Sequence, residues 1–380
     1  MIVTSSNGLF PAGSLRGPRR RGGTPATAAR SVRFSKKCRR PPTAAGRRTL
    51  CTRSALITNP DDFEVGRFLG SYGFMNVTSY SSFQSGGLFS GERVEELNFR
   101  SSSEDIERLK VQDVGEGQVK IRLYEGRIVQ GPLRGTRITF KVYPGQRAGG
   151  VEADMMAANE LNAHAFLQGE TGCGCHNIQI LLGGFETKMG EQWLAFHNNG
   201  IYSSADYAKV MADDVSKYQA EGGQRSWNPF DWEQKIKQRR KFVIKLFYGA
   251  MNGLAYMHRN DRLHQSLGPA SVVLNTIMEK DVAYLVPRLR DLSFSVDVRY
   301  SSLEAGPGAL SEGLWRRASA AGAFTLLERR AFGIADDIFE AGLLFAYLTF
   351  VPFCEAGVVD GLSLQRLFEG TFQLDLEAAR

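Results

Sequence analysis

Acidic residues are missing from the first 55 positions, which hold 13 Lys or Arg and are rich in Ser, Thr, Ala, Pro and Gly; the first acid is Asp61. That bias is the composition of a targeting presequence rather than of a packed core. The stretch also lacks an apolar run closed by an Ala-x-Ala site, which excludes a secretory signal. Pro11, Pro18, Pro25, Pro41 and Pro42 would break the long amphipathic helix of a mitochondrial presequence. A chloroplast address is the expectation. Beyond these residues the chain holds 34 basic against 40 acidic side chains, a formal charge of −6 where the whole chain carries +7. The body therefore has no basic excess of the kind a nucleic-acid-binding domain shows. Its one short basic stretch, RRKFVIK from Arg239, reads as the solvated face of a helix.

Cysteine is scarce as well, with five in 380 residues. Cys38 and Cys51 fall in the presequence, and Cys173 and Cys175 sit beside His176 in a Gly-rich turn without a second Cys/His pair to complete a zinc site. They read as ordinary loop cysteines, and Cys354 stands alone. Long apolar runs are also absent. The longest, AGLLFAYLTFVPFC from Ala341 to Cys354, lies between Glu340 and Glu355 and is too short to cross a bilayer, so a buried core helix is expected and no transmembrane span.

What remains is long enough for one two-lobed domain or two small domains with substantial cores. Residues 56–110 read as an N-terminal extension of strands and loop. From 111 to 143, VKIRLYEGRIVQGPLRGTRITFKVY alternates apolar and polar positions, broken by Gly126 and Gly131-Pro132, which predicts two or three antiparallel strands. VEADMMAANELNAHAFLQ then places Met156, Glu160, Ala163 and Leu167 on one helical face. ILLGGFET and EQWLAFHN read as two strands, and SSADYAKVM as a short helix capped by Ser203 or Ser204. Residues 212–229 read as a polar loop insertion, and 231–259 as a long helix with Phe242, Leu246 and Ala250 on one face. Strands, a helix, more strands and then helices make an α+β plan, with a β-rich part followed by a helical part.

The most informative stretch is LAYMHRNDRLHQSLGPASVVLN over 254–275. It has the frame of a protein-kinase catalytic loop, His-Arg-Asp-Leu-Lys running on to Asn, in which the Asp is the base and the Asn a magnesium ligand. Counting from His264, Ser266 stands at the Asp position, Gly268 at the Lys position and Ser271 at the Asn position. Upstream, Lys141 in ITFKVY has the setting of the strand lysine that holds ATP phosphates, and Glu160, 19 residues later, that of its helix partner. Downstream, Asp291-Leu292-Ser293 ends an apolar strand where Asp-Phe-Gly would stand, and Asp337 and Gly342 fit an Asp-x-x-x-x-Gly helix start. In the glycine loop, VGEGQVKIRL offers Gly115 and Gly117 with Lys120 at the third glycine position; LGSYGFMNV at Leu69 lies far upstream of Lys141 and reads as a strand turn. Residues 294–335 contain no Ala-Pro-Glu, and Gly306-Pro307-Gly308 and RRAS at 316–319 read as a flexible segment.

On these residues the chain resembles the protein kinase superfamily, in its catalytically degraded or atypical members, over roughly 111–350. The resemblance implies a two-lobed fold, with a small β-rich lobe over 111–202 and a helical lobe over 203–380 that is truncated. It implies a nucleotide site of Lys141, Glu160, Gly115 and Gly117, metal binding by Asp291, structural roles for His264 and Asp337, and ATP and Mg2+ as cofactors. It also implies damaged transfer chemistry, because a Ser hydroxyl at 266 cannot act as the base. Three functions follow from it: an ATP-binding but impaired pseudokinase with protein partners, a slow atypical kinase, or a structural interaction domain that binds no nucleotide.

Overall fold

The computed structural model describes residues 56–73, 111–112, 119–169, 175–221 and 229–372. The presequence, Gly115, Gly117 and Cys173 lie outside the described residues. The protein is mixed α+β, with antiparallel sheet in its N-terminal part and helices in its C-terminal part. Strands β1 (Phe63–Gly73), β2 (Val111–Gln112), β3 (Lys120–Ile128), β4 (Arg137–Tyr143), β5 (Leu181–Glu186) and β6 (Gln192–His197) form one sheet in the order β2-β1-β3-β4-β6-β5. All neighbours are antiparallel except the short β1–β2 pair.

Part of the extension expected over 56–110 lies in this sheet. β1 pairs with β3 from Phe63↔Ile128 to Gly73↔Lys120, so residues 63–73 are an integral strand and not an appendage. The chain before it is also tied down, since Ile57 N–H donates to Leu182 O at 3.0 Å and Gly184 N–H donates to Ile57 O at 2.9 Å, along β5.

Strand alternation decides what each face carries. On β4, Ile138, Phe140 and Val142 pack with Phe63, Ile128 and Ala195 on one face. Lys141 and Tyr143 therefore point to the other face, which helix α1 (Gln146–Gly169) covers. There Ala153, Met156 and Ala157 pack on Ile121, Tyr143, Leu181, Leu194 and Phe196. Gly150, at φ 65°, kinks the start of α1 and separates its first residues from the part that meets the sheet.

Beyond the sheet come β7 (Tyr202–Ser203), α2 (Ser204–Glu221), α3 (Pro229–Arg259), β8 (Arg262–Leu263), β9 (Val272–Leu274), β10 (Arg288–Leu289), β11 (Val296–Asp297), α4 (Tyr300–Glu304), α5 (Glu312–Ala320), α6 (Leu326–Phe350) and α7 (Gly361–Arg366). The main core joins Phe242, Leu246, Ala250, Leu254 and Met257 of α3 to Ala341, Leu344 and Leu348 of α6 and to Leu267, Val272, Leu289 and Leu292 of the segment between. Each fully buried leucine contributes about 1.5–3 kcal/mol. Among the described residues no helix is long and apolar enough to cross a membrane. The apolar run from Ala341 is the second half of α6, with Ala341, Leu344 and Leu348 turned into this core.

Three local expectations change. The loop expected from residue 212 is helical as far as Glu221, because Ala208, Ala212 and Val215 form a buried stripe that extends α2. Ser203 caps that helix by accepting from Asp206 N–H at 3.2 Å. The segment expected to be flexible after 294 instead contains α4 and α5, whose Leu303, Leu314, Trp315 and Ala318 pack with Leu263 and Val296. Arg239, expected on a solvated face, is buried, pairing with Glu279 at 2.8 Å and donating to Pro352 O at 2.7 Å.

Candidate functional site

At the edge between sheet and helices, four charged side chains and two tyrosines meet. Lys141 Nζ lies 2.6 Å from Glu160 Oε2 and 2.7 Å from Asp291 Oδ1, and all three residues are buried. β4 supplies the lysine through its alternation and α1 supplies the glutamate through the Met156–Glu160–Ala163 face; the turn after β10 supplies the aspartate. Asp291 adopts a left-handed backbone, φ 65° and ψ 54°, unusual for a residue with a side chain. Burial alone would push its carboxyl up, but Lys141 and then Arg290 outweigh burial and hold it at about 2. Burial likewise opposes the Lys141 charge, while Asp291 and Glu160 support it and keep the ammonium well above its ordinary range.

The remaining partners were not legible as site residues. Tyr72 of β1 donates its hydroxyl to Asp291 Oδ1 at 2.7 Å, and its ring lies 5.9 Å from Lys141 Nζ and 5.7 Å from the Arg290 guanidinium. Arg290 Nε is 3.2 Å from Asp291 Oδ2. Both carboxylate oxygens of Asp291 are thus engaged. Glu160 Oε2 accepts from the Tyr143 hydroxyl and, at 3.1 Å, from Ser293 Oγ, as well as from Lys141. Asn159 Nδ2 donates to Ser293 O at 2.7 Å and Ser295 O at 2.9 Å, so α1 is bonded to the turn after Asp291 by two adjacent side chains. With two cations and two carboxylates, the cluster balances its own charge.

The loop from His264 to Ser271 is held by Asp337 from α6. Asp337 Oδ2 accepts from His264 N–H at 2.8 Å and Oδ1 accepts from Gln265 N–H at 2.9 Å, while His258 Nε2 lies 2.8 Å from Oδ2. That brace holds Gln265 at φ 60°, a second left-handed residue close to the site. Burial keeps the His264 ring neutral by lowering its pKa, so Nε2–H donates to Arg290 O at 3.1 Å and Nδ1 accepts from Ser266 N–H at 3.3 Å. Ser266 Oγ donates to Asp291 O at 2.7 Å. Ser271 Oγ accepts from Gly268 N–H and donates to Gly268 O, each at 2.9 Å, so its hydroxyl closes its own turn.

The structure thus brings Lys141, Glu160 and Asp291 together, with Ser266 bonded to the Asp291 backbone, and leaves the Ser271 hydroxyl engaged with Gly268. The glycine pair at Leu69, read as a strand turn, lies beside the site: Gly70 and Gly73 flank Tyr72 at the end of β1, and the long connection to β3 follows them. Distance along the chain argued against them only because that connection is long.

No protein-family model matches this chain, and no curated protein matches it. Function rests on the residues themselves.

Proposed function

We propose that the chain is a pseudokinase: a protein-kinase-like, two-lobed domain that retains the ion cluster of a nucleotide site and does not transfer phosphate. Its role is then regulatory or scaffolding, through protein partners, and a plastid location belongs to the same proposal. The observation that carries it is the state of Ser266. Its Oγ–H donates to Asp291 O at 2.7 Å, and the His264 ring beside it gives Nε2–H to Arg290 O and holds Nδ1 at 3.3 Å from both the Ser266 amide and the Ser266 hydroxyl. No carboxylate stands at that position to take a proton from a substrate alcohol, and loss of a positioned base costs about 10²- to 10⁴-fold in rate.

The Lys141–Glu160 pair fits ATP, because a buried lysine oriented by a glutamate presents one fixed cation to phosphate oxygens. Mg2+ fits less well. Asp291 would hold one ion only after Tyr72 or Arg290 releases an oxygen, and Ser271 offers nothing to a second.

That engagement of Asp291 favours a second reading, an interaction module that binds no nucleotide. Thermal shift of the full chain with Mg-ATP separates the two. A rise in melting temperature that Lys141→Met abolishes supports the pseudokinase, and no rise supports the nucleotide-free module. Single-turnover assay with γ-labelled ATP then tests transfer itself, and phosphoprotein formed at rates of the order of those of ordinary kinases, about 1–100 per second, would overturn both.

A further inference from the structure

A cavity of about 470 Å³ lies between α1, β8, β11 and the segment from Ser302 to Trp315. Its volume is in the range of small-molecule sites, roughly 300–1,000 Å³. Part of its wall is apolar, built by Met155, Leu303, Leu310 and Trp315. Arg262 also lines it. Only 8% of its surface is exposed, its Nε–H has no hydrogen-bond partner, and among the described residues no carboxylate lies within ion-pair distance of it. The neighbouring acid, Asp297, is taken by Arg299, which donates to both of its oxygens at 3.0 Å. The Arg262 guanidinium rests on the Phe166 ring at 5.3 Å, and Arg299 lies 4.8 Å from the same ring. Asp297 attracts Arg262 without being bonded to it, so no carboxylate is paired directly with the Arg262 guanidinium at the cavity wall.

A buried charge without a partner is costly, and structures keep one where a partner arrives from outside. Guanidinium is also the side chain best shaped to take a carboxylate or phosphate through two parallel hydrogen bonds. We propose that this cavity is a binding site for a small oxyanion with an apolar body, a phosphate monoester or an aryl carboxylate, whose anionic end pairs with Arg262 and whose body lies against Trp315. Burial lowers the pKa of Arg262, in keeping with a charge held away from water. The site borders the Lys141 cluster through Asn159 and Ser295 but contains none of Lys141, Glu160 and Asp291, and it does not depend on the nucleotide reading.

The test uses the full chain at constant ionic strength, titrated by calorimetry with inorganic phosphate, phenyl phosphate and benzoate, with hydrogen exchange read on the complex that forms. Phenyl phosphate or benzoate should saturate one site and protect amides within 158–162 and 302–311; which of the two binds tighter names the anionic group. Arg262→Met should weaken binding at least tenfold, Arg262→Lys should recover only part of that loss because it lacks the bidentate fork, and Trp315→Phe should weaken the aryl ligands more than inorganic phosphate. Without ligand, Arg262→Met should melt no lower than the parent, because it removes an uncompensated buried charge. The proposal falls if neither aryl ligand saturates, if Arg262→Met binds within twofold of the parent, if protection appears at 70–73 and 141 instead, or if Arg262→Met melts well below the parent.

Discussion

The Tyr72 hydroxyl donates to Asp291 Oδ1 at 2.7 Å, across 219 residues of chain. It joins the end of β1 to the carboxylate on which metal binding would depend, so any ligand at Asp291 competes with Tyr72.

Tyr72→Phe removes that competitor while keeping the ring. A hydrogen bond to a charged group is worth about 1.5–3 kcal/mol. The ligand-free variant should melt below the parent, and its stabilisation by Mg-ATP should exceed the parent's. Equal stabilisation in the two proteins would show that Tyr72 does not guard the site.

Lys141→Met leaves Glu160 and Asp291 buried without their shared cation. Breaking a buried pair in this way costs about 3–5 kcal/mol, readable as a drop in the urea midpoint at neutral pH. The sign of the pH dependence follows from Asp291, whose folded pKa is depressed from 3.8 to about 2. Its contribution is complete above 3.8 and is lost as pH falls through 2. In the variant that carboxylate has lost its main stabilising charge, so the gap from the parent should narrow as pH falls below about 4.

The lysine, the glutamate and the aspartate of this cluster were legible because each sits at a fixed spacing within a recognisable local pattern: an alternating strand, a helical face, a strand end. Tyr72 and Arg290 were not, because their role comes from tertiary proximity that no local pattern encodes. The extra turns of α2 had a signal in Ala208, Ala212 and Val215 at helical spacing, outweighed by the polar residues around them. Helices α4 and α5 were hidden by the glycines and proline at 306–308, which mark the bend between them and not a disordered stretch.

Glu340 gives a pH effect of opposite sign. Burial, with Asp336 and Asp337 beside it, pushes its carboxyl up to about 8. A carboxyl raised in the folded state contributes fully below its unfolded value of 4.5, and that contribution is lost as pH rises towards 8. Glu340→Gln should therefore match the parent near pH 5 and exceed it near pH 8 by an amount on the order of a few kcal/mol, checked by urea unfolding at the two pH values.

Asp337→Ala withdraws the acceptor from the His264 and Gln265 amides. Each buried donor left unpaired costs about 1–3 kcal/mol. Hydrogen exchange at these two amides should accelerate more than at Ile138 or Phe140 in the sheet. Uniform acceleration across the chain would mean that Asp337 supports global stability and not the loop in particular.

The path of residues 57–73 has a practical consequence. Ile57 bonds along β5, the last strand at one side of the sheet, and β1 then pairs along β3 towards the other. One short stretch of chain thus covers the outer edge of β5 at Ile57 and the outer edge of β3 along β1. A fragment begun at residue 111, where the motif resemblance starts, would expose two rows of unpaired backbone donors and acceptors, the template for strand-to-strand aggregation. Recombinant work on this protein should keep the chain from before Ile57 onward, and insolubility of a shorter fragment would report its open margins and not its chemistry.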